Sequence, residues 1–392
     1  MKKTYIVSAQ RTPMGSFGGS LMGYSATELG SISISGSLKA AGLDPKTVDE
    51  VLFGNVCQAN LGQAPARQAA LGADIPNTVP ATTINKVCSS GMKAVMMASQ
   101  AIALGHADII VAGGMESMSN VPFYVPNLRW GNKFGVTDII DGLQKDGLTD
   151  AYDHQAMGNC GDATAAKYNI SREEQDDYAI RSYERASQAT DSGKFSSEIV
   201  PVSIPQRKSD PIIMDQDEEY KKVKFEKIPA LRPAFNKDGS VTAANASTLN
   251  DGAAALIIAS EDAIKRYDLK PIAEIISYAD AAHEPQWFTI APTLAAPKAL
   301  KRANLQMNDI DLFEVNEAFS VVALAFAQTC GISQDIMNIN GGAVSLGHPL
   351  GCSGARILTT LVHALHNGGG KRGLATLCNG GGGASAIIVE AM

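Results

Sequence analysis

Four side chains suited to acyl chemistry lie at turns of the sequence: Cys88, Asn316, His348 and Cys378. Cys88 is followed by small residues and then by a run of helix-forming residues, 93–104, which predicts a strand-to-helix turn at the cysteine. Free backbone N–H groups and the helix dipole at such a turn favour a thiolate over a thiol. His348 lies in a glycine-lined loop, and Asn316 and Cys378 each follow an apolar run.

These residue types are typical of thioester chemistry. A thiolate nucleophile needs a base beside it, and the carbonyl under attack needs hydrogen-bond donors for its oxyanion. A second base is needed where a carbanion forms next to a carbonyl, so one cysteine could act as nucleophile while the other moves the proton. Each residue also has a structural interpretation, because cysteines pack as small apolar residues, loop histidines bind carbonyls and asparagines cap helices.

Composition excludes several classes of protein. A chain of 392 residues predicts two or three subdomains, and a net charge of -7 argues against nucleic acid as the main partner. No apolar run approaches the length of a membrane span, and residues 1–8 are too short in their apolar part for a signal peptide. Six scattered cysteines without metal spacing predict reduced thiols. We therefore expect a cytoplasmic protein with no membrane partner.

The elements that would position these residues alternate between strands and helices. The predicted helices cover residues 25–41 and 93–104, and apolar strands cover residues 4–9, 51–53, 108–112, 254–259 and 272–278. Strands that are apolar throughout predict an α/β fold with a mostly parallel sheet covered on both faces.

Between residues 119 and 249 the alternation stops, and prolines and charges become more frequent. Ser171 and Glu174 form a capping-box pattern that predicts a helix to about Asp191. Residues 206–229 are rich in charges, which predicts an exposed segment. The whole region is interpreted as an inserted loop domain.

The second half of the chain repeats the first. The paired segments are 38–43 with 300–305, 51–55 with 312–316, 84–85 with 339–340, and 108–112 with 373–377. A duplicated βα fold places equivalent loops of both halves around one crevice at the strand ends.

The loops themselves resemble those of the thiolase family, in particular its acetoacetyl-CoA thiolases. The resemblance is carried, in order along the whole chain, by residues 85–91, 242–254, 316–319, 341–349 and 378–383. It implies two duplicated βα halves in a layered αβαβα arrangement with an inserted loop domain. The implied domains are 1–118 plus 250–271, the inserted coenzyme A-binding segment 119–249, and 272–392.

The resemblance also implies a role for each reactive residue. Cys88 would accept the acyl group. His348 would activate Cys88 and, with a water held by Asn316, would form one oxyanion hole. Cys378 would remove the α-proton of the second acetyl-CoA and protonate the leaving thiolate. The backbone N–H groups of Cys88 and Gly380 would form the second oxyanion hole.

The family further implies where coenzyme A and a K⁺ ion would bind. The pantetheine channel would be lined by Met157, Phe235, Ala243, Ser247, Ala318 and Phe319, and the nucleotide would lie near Lys222, Val223, Lys224 and Lys227. The K⁺ ion would lie near Tyr183, Ala243, Ala244, Ala246 and Val344. No redox cofactor is implied.

The resemblance implies an acetyl-CoA C-acetyltransferase of fatty acid metabolism, which joins two acetyl-CoA molecules reversibly through an acyl-cysteine. One alternative is a 3-ketoacyl-CoA thiolase of β-oxidation with a broader chain-length range. If Trp287 and Phe288 line the acyl pocket, their bulk would favour short or branched acyl groups and argue against this alternative. Another is a non-catalytic protein that binds coenzyme A or lipid on the same scaffold. A ketoacyl synthase would typically use two histidines in place of Cys378.

Thiolases are usually dimers or tetramers, so we expect a homo-oligomer, with a homotetramer as the larger form. Two positions depart from the family pattern. Ala156 stands where the family often has histidine, with His154 two places earlier, and Asp162 stands where glutamate is usual.

Overall fold

A computed structural model describes residues 2–392. Its strands are Thr4–Arg11 (β1), Gly15–Ser16 (β2), Glu50–Gly54 (β3), Ala81–Ile84 (β4), Ile109–Ser117 (β5), Phe123–Tyr124 (β6), Ile140–Asp141 (β7), Val202–Ile204 (β8), Ile212–Met214 (β9), Asn250–Ser260 (β10), Ala273–Ala282 (β11), Leu312–Val315 (β12), Arg372–Asn379 (β13) and Gly383–Ala391 (β14). Its α-helices are Ala26–Ala41 (α1), Pro65–Gly72 (α2), Ser90–Ala103 (α3), Met157–Tyr168 (α4), Arg172–Asp191 (α5), Glu261–Tyr267 (α6), Pro292–Ala303 (α7), Ser320–Cys330 (α8), Ala343–Leu346 (α9) and Leu350–Ala364 (α10).

Ten strands form one mixed sheet in the order β12-β13-β14-β11-β1-β10-β5-β3-β4, with β2 paired to β10. Strand β3 runs parallel to β4 and β5, and β12 runs parallel to β13. Strands β1, β5, β10, β11, β13 and β14 meet in antiparallel pairs. The prediction of a mostly parallel sheet is therefore wrong. Strand β10 is buried along its whole length yet antiparallel to both neighbours, because helices cover both faces whatever the strand direction.

The two halves of the chain build the same four-stranded arrangement twice. The first half contributes β3-β5-β10-β1 with β4 as an additional edge strand, and the second contributes β12-β13-β14-β11. The half-sheets meet where β1 pairs with β11 through Tyr5–Glu274 and Ile6–Ala273. This order agrees with the predicted duplication of the βα unit.

Helices α3 and α10 form the central layer of the molecule. They pack against each other, and each contacts strands of both half-sheets. Helices α1 and α2 cover the outer face of the first half, and α7 and α8 cover that of the second. The result is the expected αβαβα layering. Within residues 2–392, no helix is both long and apolar enough to cross a bilayer.

The inserted segment contains α4, α5 and two short hairpins, β6–β7 and β8–β9. Its helix α5 begins with the predicted capping box, in which the Ser171 side chain accepts from the Glu174 N–H. The expected exposure of 206–229 is only partly correct, because Asp217 is buried and receives two hydrogen bonds from the Arg11 guanidinium. Buried charges persist in proteins when they are paired in this way.

Candidate active site

Cys88 lies at the predicted turn, between β4 and the first residue of α3. The preceding residue, Val87, has a φ of +48°, an unusual conformation for a β-branched residue. The Ser90 hydroxyl holds the turn by donating to the Val87 carbonyl and accepting from the Lys86 N–H. Backbone strain of this kind is often found at functional sites.

The second half of the chain anchors this turn. The Lys86 ammonium donates to the Asp280 carboxylate at 2.7 Å and to the Ser385 hydroxyl at 2.8 Å. Lys93, on α3, donates to the other oxygen of the same carboxylate at 2.8 Å. Asp280 belongs to β11 and Ser385 to β14, so the Cys88 turn is bound directly to the opposite half-sheet.

The two candidate cysteines lie close together. Cys378 is buried near the end of β13, and burial raises its pKa well above the usual value, with a further contribution from the neighbouring Cys88. The backbone N–H groups of Gly380 and Cys88 favour the thiolate form of Cys88, because both act to lower its pKa. The structure thus brings together the predicted pair of sulfurs and the predicted pair of backbone donors.

The expectation of a stabilised Cys88 thiolate is not met. Burial raises the pKa of the Cys88 thiol to about 12, although the N–H groups of Gly380 and Cys88 oppose the rise. The influence of these two N–H groups does not compensate for the loss of water around the charge. The Cys88 side chain is therefore a neutral thiol at pH 7, and a base would be needed for it to act as a nucleophile.

His348 is a buried imidazole in the loop between α9 and α10. Burial and the nearby Arg356 guanidinium lower its pKa to about 3, so the ring is neutral. Its Nδ1 atom lies 2.6 Å from the Ser353 hydroxyl. Its Nε2 atom has no hydrogen-bond partner among residues 2–392. A neutral ring with an unpartnered nitrogen can accept a proton.

Asn316 follows β12 and is almost completely buried. Both polar atoms of its side-chain amide lack a partner in the part of the chain that the structure describes. Unpaired buried polar groups cost about 1–3 kcal/mol each, and in native proteins they often have a functional explanation. The helix N-cap interpretation is not supported, because α8 begins four residues later, at Ser320.

Glu317, the next residue, fixes this loop. Its carboxylate accepts hydrogen bonds from the side chains of Tyr178, Ser182 and Asn338 and from the backbone N–H of Val344. The network joins α5 of the inserted segment to the loops that carry Asn316 and His348. It therefore fixes the loops of Asn316 and His348 relative to each other.

A small cavity of about 120 Å³ leads to His348. Four of the residues predicted for the pantetheine channel line it: Met157, Phe235, Ser247 and Phe319. Met157 also connects this cavity to the cysteines, because its methyl group lies beside Gly380 and it packs in the same apolar cluster as Cys378.

The other predicted coenzyme A residues do not line this cavity. Ala318 accepts the N–H of Ser247 at 3.0 Å, whereas Ala243 is exposed and lies outside the cavity lining. The remaining residues lie outside that lining, in a loop and the 3-10 helix Phe225–Ala230 that follows it: Lys222, Val223, Lys224 and Lys227. The three lysines are exposed, which suits contact with phosphate.

The residues predicted for K⁺ differ in burial and belong to more than one apolar cluster. Tyr183 and Val344 pack in one apolar cluster, while Ala246 belongs to another. Ala244 is buried and Ala243 is exposed. The Tyr183 hydroxyl lies near the carboxylates of Glu219 and Glu317, which add to the effect of burial in raising its pKa.

The two departures from the family pattern have different surroundings. His154 is exposed, with a φ of +60°, and lies outside the cavity next to His348. Asp162 accepts the backbone N–H groups of Ser240 and Val241, so its carboxylate holds the segment that precedes Ser247.

Two supporting residues escaped the sequence analysis. Glu116 accepts hydrogen bonds from the N–H groups of Val56, Cys57 and Gly351, and so joins the end of β3 to the start of α10. The sequence feature that could have identified Glu116 is that it is the single charged residue in an otherwise uncharged strand, β5. Ser353, which contacts His348, gave no distinguishing signal among the small residues at the start of α10.

Comparison with known proteins agrees with this geometry. Residues 4–262 match the family model for the thiolase N-terminal domain, and residues 269–391 match that for the thiolase C-terminal domain. The chain is 54% identical to acetyl-CoA acetyltransferase 2 of Arabidopsis thaliana, covering 98% of this chain and 96% of the relative. It is also 54% identical to the mitochondrial acetyl-CoA acetyltransferase of Bos taurus, covering 100% and 92%.

Solved structures give the same result. The Acat5 thiolase of Ascaris suum in complex with coenzyme A superposes with a TM-score of 0.95 at 48% identity, with 100% of both chains covered. The acetyl-CoA acetyltransferase of Bacillus anthracis superposes with a TM-score of 0.97 at 40% identity, covering 100% of this chain and 99% of the other. With its two duplicated halves and the cysteine, histidine and asparagine loops between them, this chain belongs to the thiolase family.

Proposed function

We propose that the protein is an acetyl-CoA C-acetyltransferase that condenses two acetyl-CoA molecules reversibly to acetoacetyl-CoA and coenzyme A. The observation that carries the proposal is the presence of two buried, adjacent thiols, Cys88 and Cys378, and of a buried neutral imidazole, His348, whose Nε2 is unpartnered. Full-length similarity to acetyl-CoA acetyltransferases supports the choice of substrate.

In the first half-reaction, the Cys88 sulfur attacks the thioester carbonyl of acetyl-CoA and its proton passes to Nε2 of His348. The bond between the acetyl carbon and the coenzyme A sulfur breaks, and Cys378 protonates the departing thiolate. Cys88 is then acetylated, His348 is an imidazolium and Cys378 is a thiolate, so charge and protons balance.

In the second half-reaction, the Cys378 thiolate removes an α-proton from a second acetyl-CoA. The carbanion attacks the acetyl group on Cys88, and the Cys88 sulfur leaves and regains its proton from His348. Asn316, through a water, and the Nε2–H of His348 would stabilise the enolate oxygen. The N–H groups of Cys88 and Gly380 would stabilise the oxygen of the acetyl-cysteine.

Coenzyme A would enter through the cavity that ends at His348. Met157, Ser247 and Phe319 would contact its pantetheine arm, and the inserted segment 119–249 would supply most of its binding surface. The lysines of 222–227 would lie near its phosphates. The solved Ascaris suum structure, which contains coenzyme A, supports this choice of ligand.

The acyl pocket would accept short chains. Phe288 is buried in the same apolar cluster as Cys378, and Trp287, half-buried beside it, has the Lys167 ammonium 3.8 Å from its ring centroid. Large aromatic side chains in the cluster that contains Cys378 would leave little space for a long acyl chain. This argues against a broad-range thiolase of β-oxidation.

A K⁺ ion would bind beside the Tyr183 hydroxyl, with carbonyl oxygens of 243–246 and Val344. The chemistry of this set fits, because a phenol and backbone carbonyls are oxygen donors and Glu219 places a negative charge nearby. Its role would be to hold the loop that contains Ser247.

The protein would act as a homo-oligomer, with a homotetramer as the larger form. Segment 123–139 exposes several large apolar side chains: Phe123, Leu128, Trp130, Phe134, Val136 and Ile139. Exposed apolar patches of this kind mark protein–protein contacts. Sedimentation of the wild type and a Trp130→Lys/Phe134→Lys double variant tests the assignment, since only the variant should dissociate.

We expect these reactions to be part of fatty acid metabolism. We expect them to take place in the cytoplasm, because all six cysteines are free thiols, as in a reducing compartment. A cytosolic acetyl-CoA acetyltransferase of Gibberella zeae is 52% identical, although other relatives are mitochondrial. Fractionation of cells that produce the protein tests this expectation.

The decisive experiment measures thiolysis of acetoacetyl-CoA against 3-ketoacyl-CoAs of increasing chain length, with and without potassium. We expect activity on acetoacetyl-CoA that falls at least tenfold for acyl chains two carbons longer and rises with potassium. Equal activity on long chains would favour the β-oxidation enzyme, and no turnover of any substrate would favour a binding protein.

A further inference from the structure

Ser353 lies behind the candidate base, on the first turns of α10. Its hydroxyl oxygen is 2.6 Å from Nδ1 of His348 and 2.8 Å from the carbonyl oxygen of Pro349. All three residues are buried, and the other ring nitrogen, Nε2, has no partner within residues 2–392. The hydroxyl is therefore the hydrogen-bond partner that can decide which ring nitrogen carries the proton.

Counting protons settles the direction of both bonds. A hydroxyl has one proton, and a carbonyl oxygen can only accept. At 2.8 Å from the Pro349 carbonyl, the Ser353 hydroxyl donates to it, because two facing lone pairs at that distance would repel. The serine oxygen must then accept from His348, which places the ring proton on Nδ1 and leaves a lone pair on Nε2.

We propose that Ser353 is a positioning residue that holds His348 in the Nδ1–H tautomer, with Nε2 ready to accept the Cys88 proton. This inference deepens the proposed function and rests on it. When the thiol proton moves to Nε2, Nδ1–H keeps its bond to Ser353 and the serine keeps its own proton. The same bond serves the neutral ring and the imidazolium, so the ring does not have to turn during the reaction.

A neutral partner suits this ring. In many enzymes a carboxylate occupies this position, where it stabilises the imidazolium that forms. A hydroxyl fixes the tautomer without adding a negative charge to the buried site. This agrees with a histidine whose pKa is held low by burial and by Arg356.

The test combines spectroscopy with single-turnover kinetics. In the wild type without substrate, ¹⁵N NMR should show the His348 proton on Nδ1, with the signals assigned by their loss in His348→Ala. Ser353→Ala should move the population towards the Nε2–H tautomer. It should slow acetylation of Cys88 by about 10–100-fold, as loss of an orienting partner does, with little change in KM.

Two further variants separate positioning from folding. Ser353→Thr retains the hydroxyl and should restore most of the rate and the Nδ1–H signal. Ser33→Ala is the matched control, because Ser33 is also fully buried and its hydroxyl bonds only to the Gly30 carbonyl within α1. The control should keep the wild-type rate and NMR signals.

The outcomes distinguish this inference from the proposed function. An Nε2–H tautomer in the wild type, or an unchanged tautomer and rate in Ser353→Ala, would overturn the role of Ser353. The NMR measurement needs no acyl-CoA. If the wild type shows the Nδ1–H tautomer but does not turn over acetoacetyl-CoA, the proposed function fails while the assignment of Ser353 as the tautomer-setting residue stands.

Discussion

Helices α3 and α10 occupy equivalent places in the two halves, yet their surroundings are chemically different. α3 begins just after the thiol of Cys88, and its buried side chains beyond the first turn are mostly apolar. α10 begins just after the imidazole of His348 and buries the polar side chains of Ser353 and Arg356. Duplication thus supplied two similar helix starts, one of which follows a thiol and the other an imidazole with its supporting residues.

The two helices approach each other backbone to backbone. A Cβ atom on Gly354 of α10 would lie 2.4 Å from the Met92 nitrogen of α3, and one on Gly91 would lie 2.9 Å from the Ala355 nitrogen. Small residues at the crossing allow this approach. This close crossing brings the loops of both halves into one crevice. The chemical difference between the two helix starts can be tested by substitution.

The largest effect should come from removing either sulfur, and the two losses should differ in kind. Cys88→Ala should lose transfer of labelled acetyl from acetyl-CoA by about 10⁴-fold or more, because no other nucleophile is provided. Cys378→Ala should still accept the label but fail to condense it with a second acetyl-CoA. Retention of label by Cys88→Ala would reject the assignment of roles.

The protonation states predict the pH dependence of alkylation in the free enzyme. Burial raises the Cys88 pKa to about 12 and lowers the His348 pKa to about 3, so both groups are neutral at pH 7. The rate of Cys88 alkylation by iodoacetamide should rise about tenfold per pH unit from 7 to 9, because only the thiolate reacts. Cys378→Ala is used throughout to remove the neighbouring thiol, and mass spectrometry of the peptide that contains Cys88 separates its alkylation from that of the four other cysteines. A plateau below pH 8 would indicate a thiolate–imidazolium pair instead.

The helix crossing should be sensitive to a single methyl group. Gly354→Ala should lower the free energy of unfolding by about 1–3 kcal/mol, as overpacking does in tight cores. Gly23→Ala is the control, because nothing lies within 4 Å of a Cβ atom there and its φ is not positive. Urea unfolding of both variants measures the difference, and equal stability would show that the crossing can relax.

The smallest effect should appear at the salt bridge between the halves. Burial opposes ionisation of Asp280, but hydrogen bonds from Lys86, Lys93 and Ser385 lower its pKa to about 2. Its contribution to stability is therefore present above the unfolded value of about 4 and is lost as the pH falls towards 2. Asp280→Asn should be slightly less stable than wild type at pH 7.

The difference in free energy of unfolding between the wild type and Asp280→Asn should become smaller below pH 4. Unfolding in urea at pH 7, 4 and 3 measures it, with Asp262→Asn as a control for an exposed ion pair, to Lys2. A gap between wild type and Asp280→Asn that stays constant with pH would show that the pairing contributes through packing alone.

Much of the fold followed from local pattern. The capping box of α5 and the apolar strands predicted element positions within a few residues, because these signals act over short distances along the chain. Strand direction was not predictable in the same way. Burial on both faces makes parallel and antiparallel strands equally apolar, as β10 shows.

The sequence by itself determined which reactive groups exist and that each lies at a turn: a thiol before a helix, an amide after a strand and an imidazole in a glycine-rich loop. The tertiary structure decided their chemical state. Burial made Cys88 a thiol where its helix position alone had indicated a thiolate, and a serine five residues after His348 sets the tautomer proposed for the ring. The physical reason is that solvation depends on everything packed around a group, which no local segment of sequence specifies.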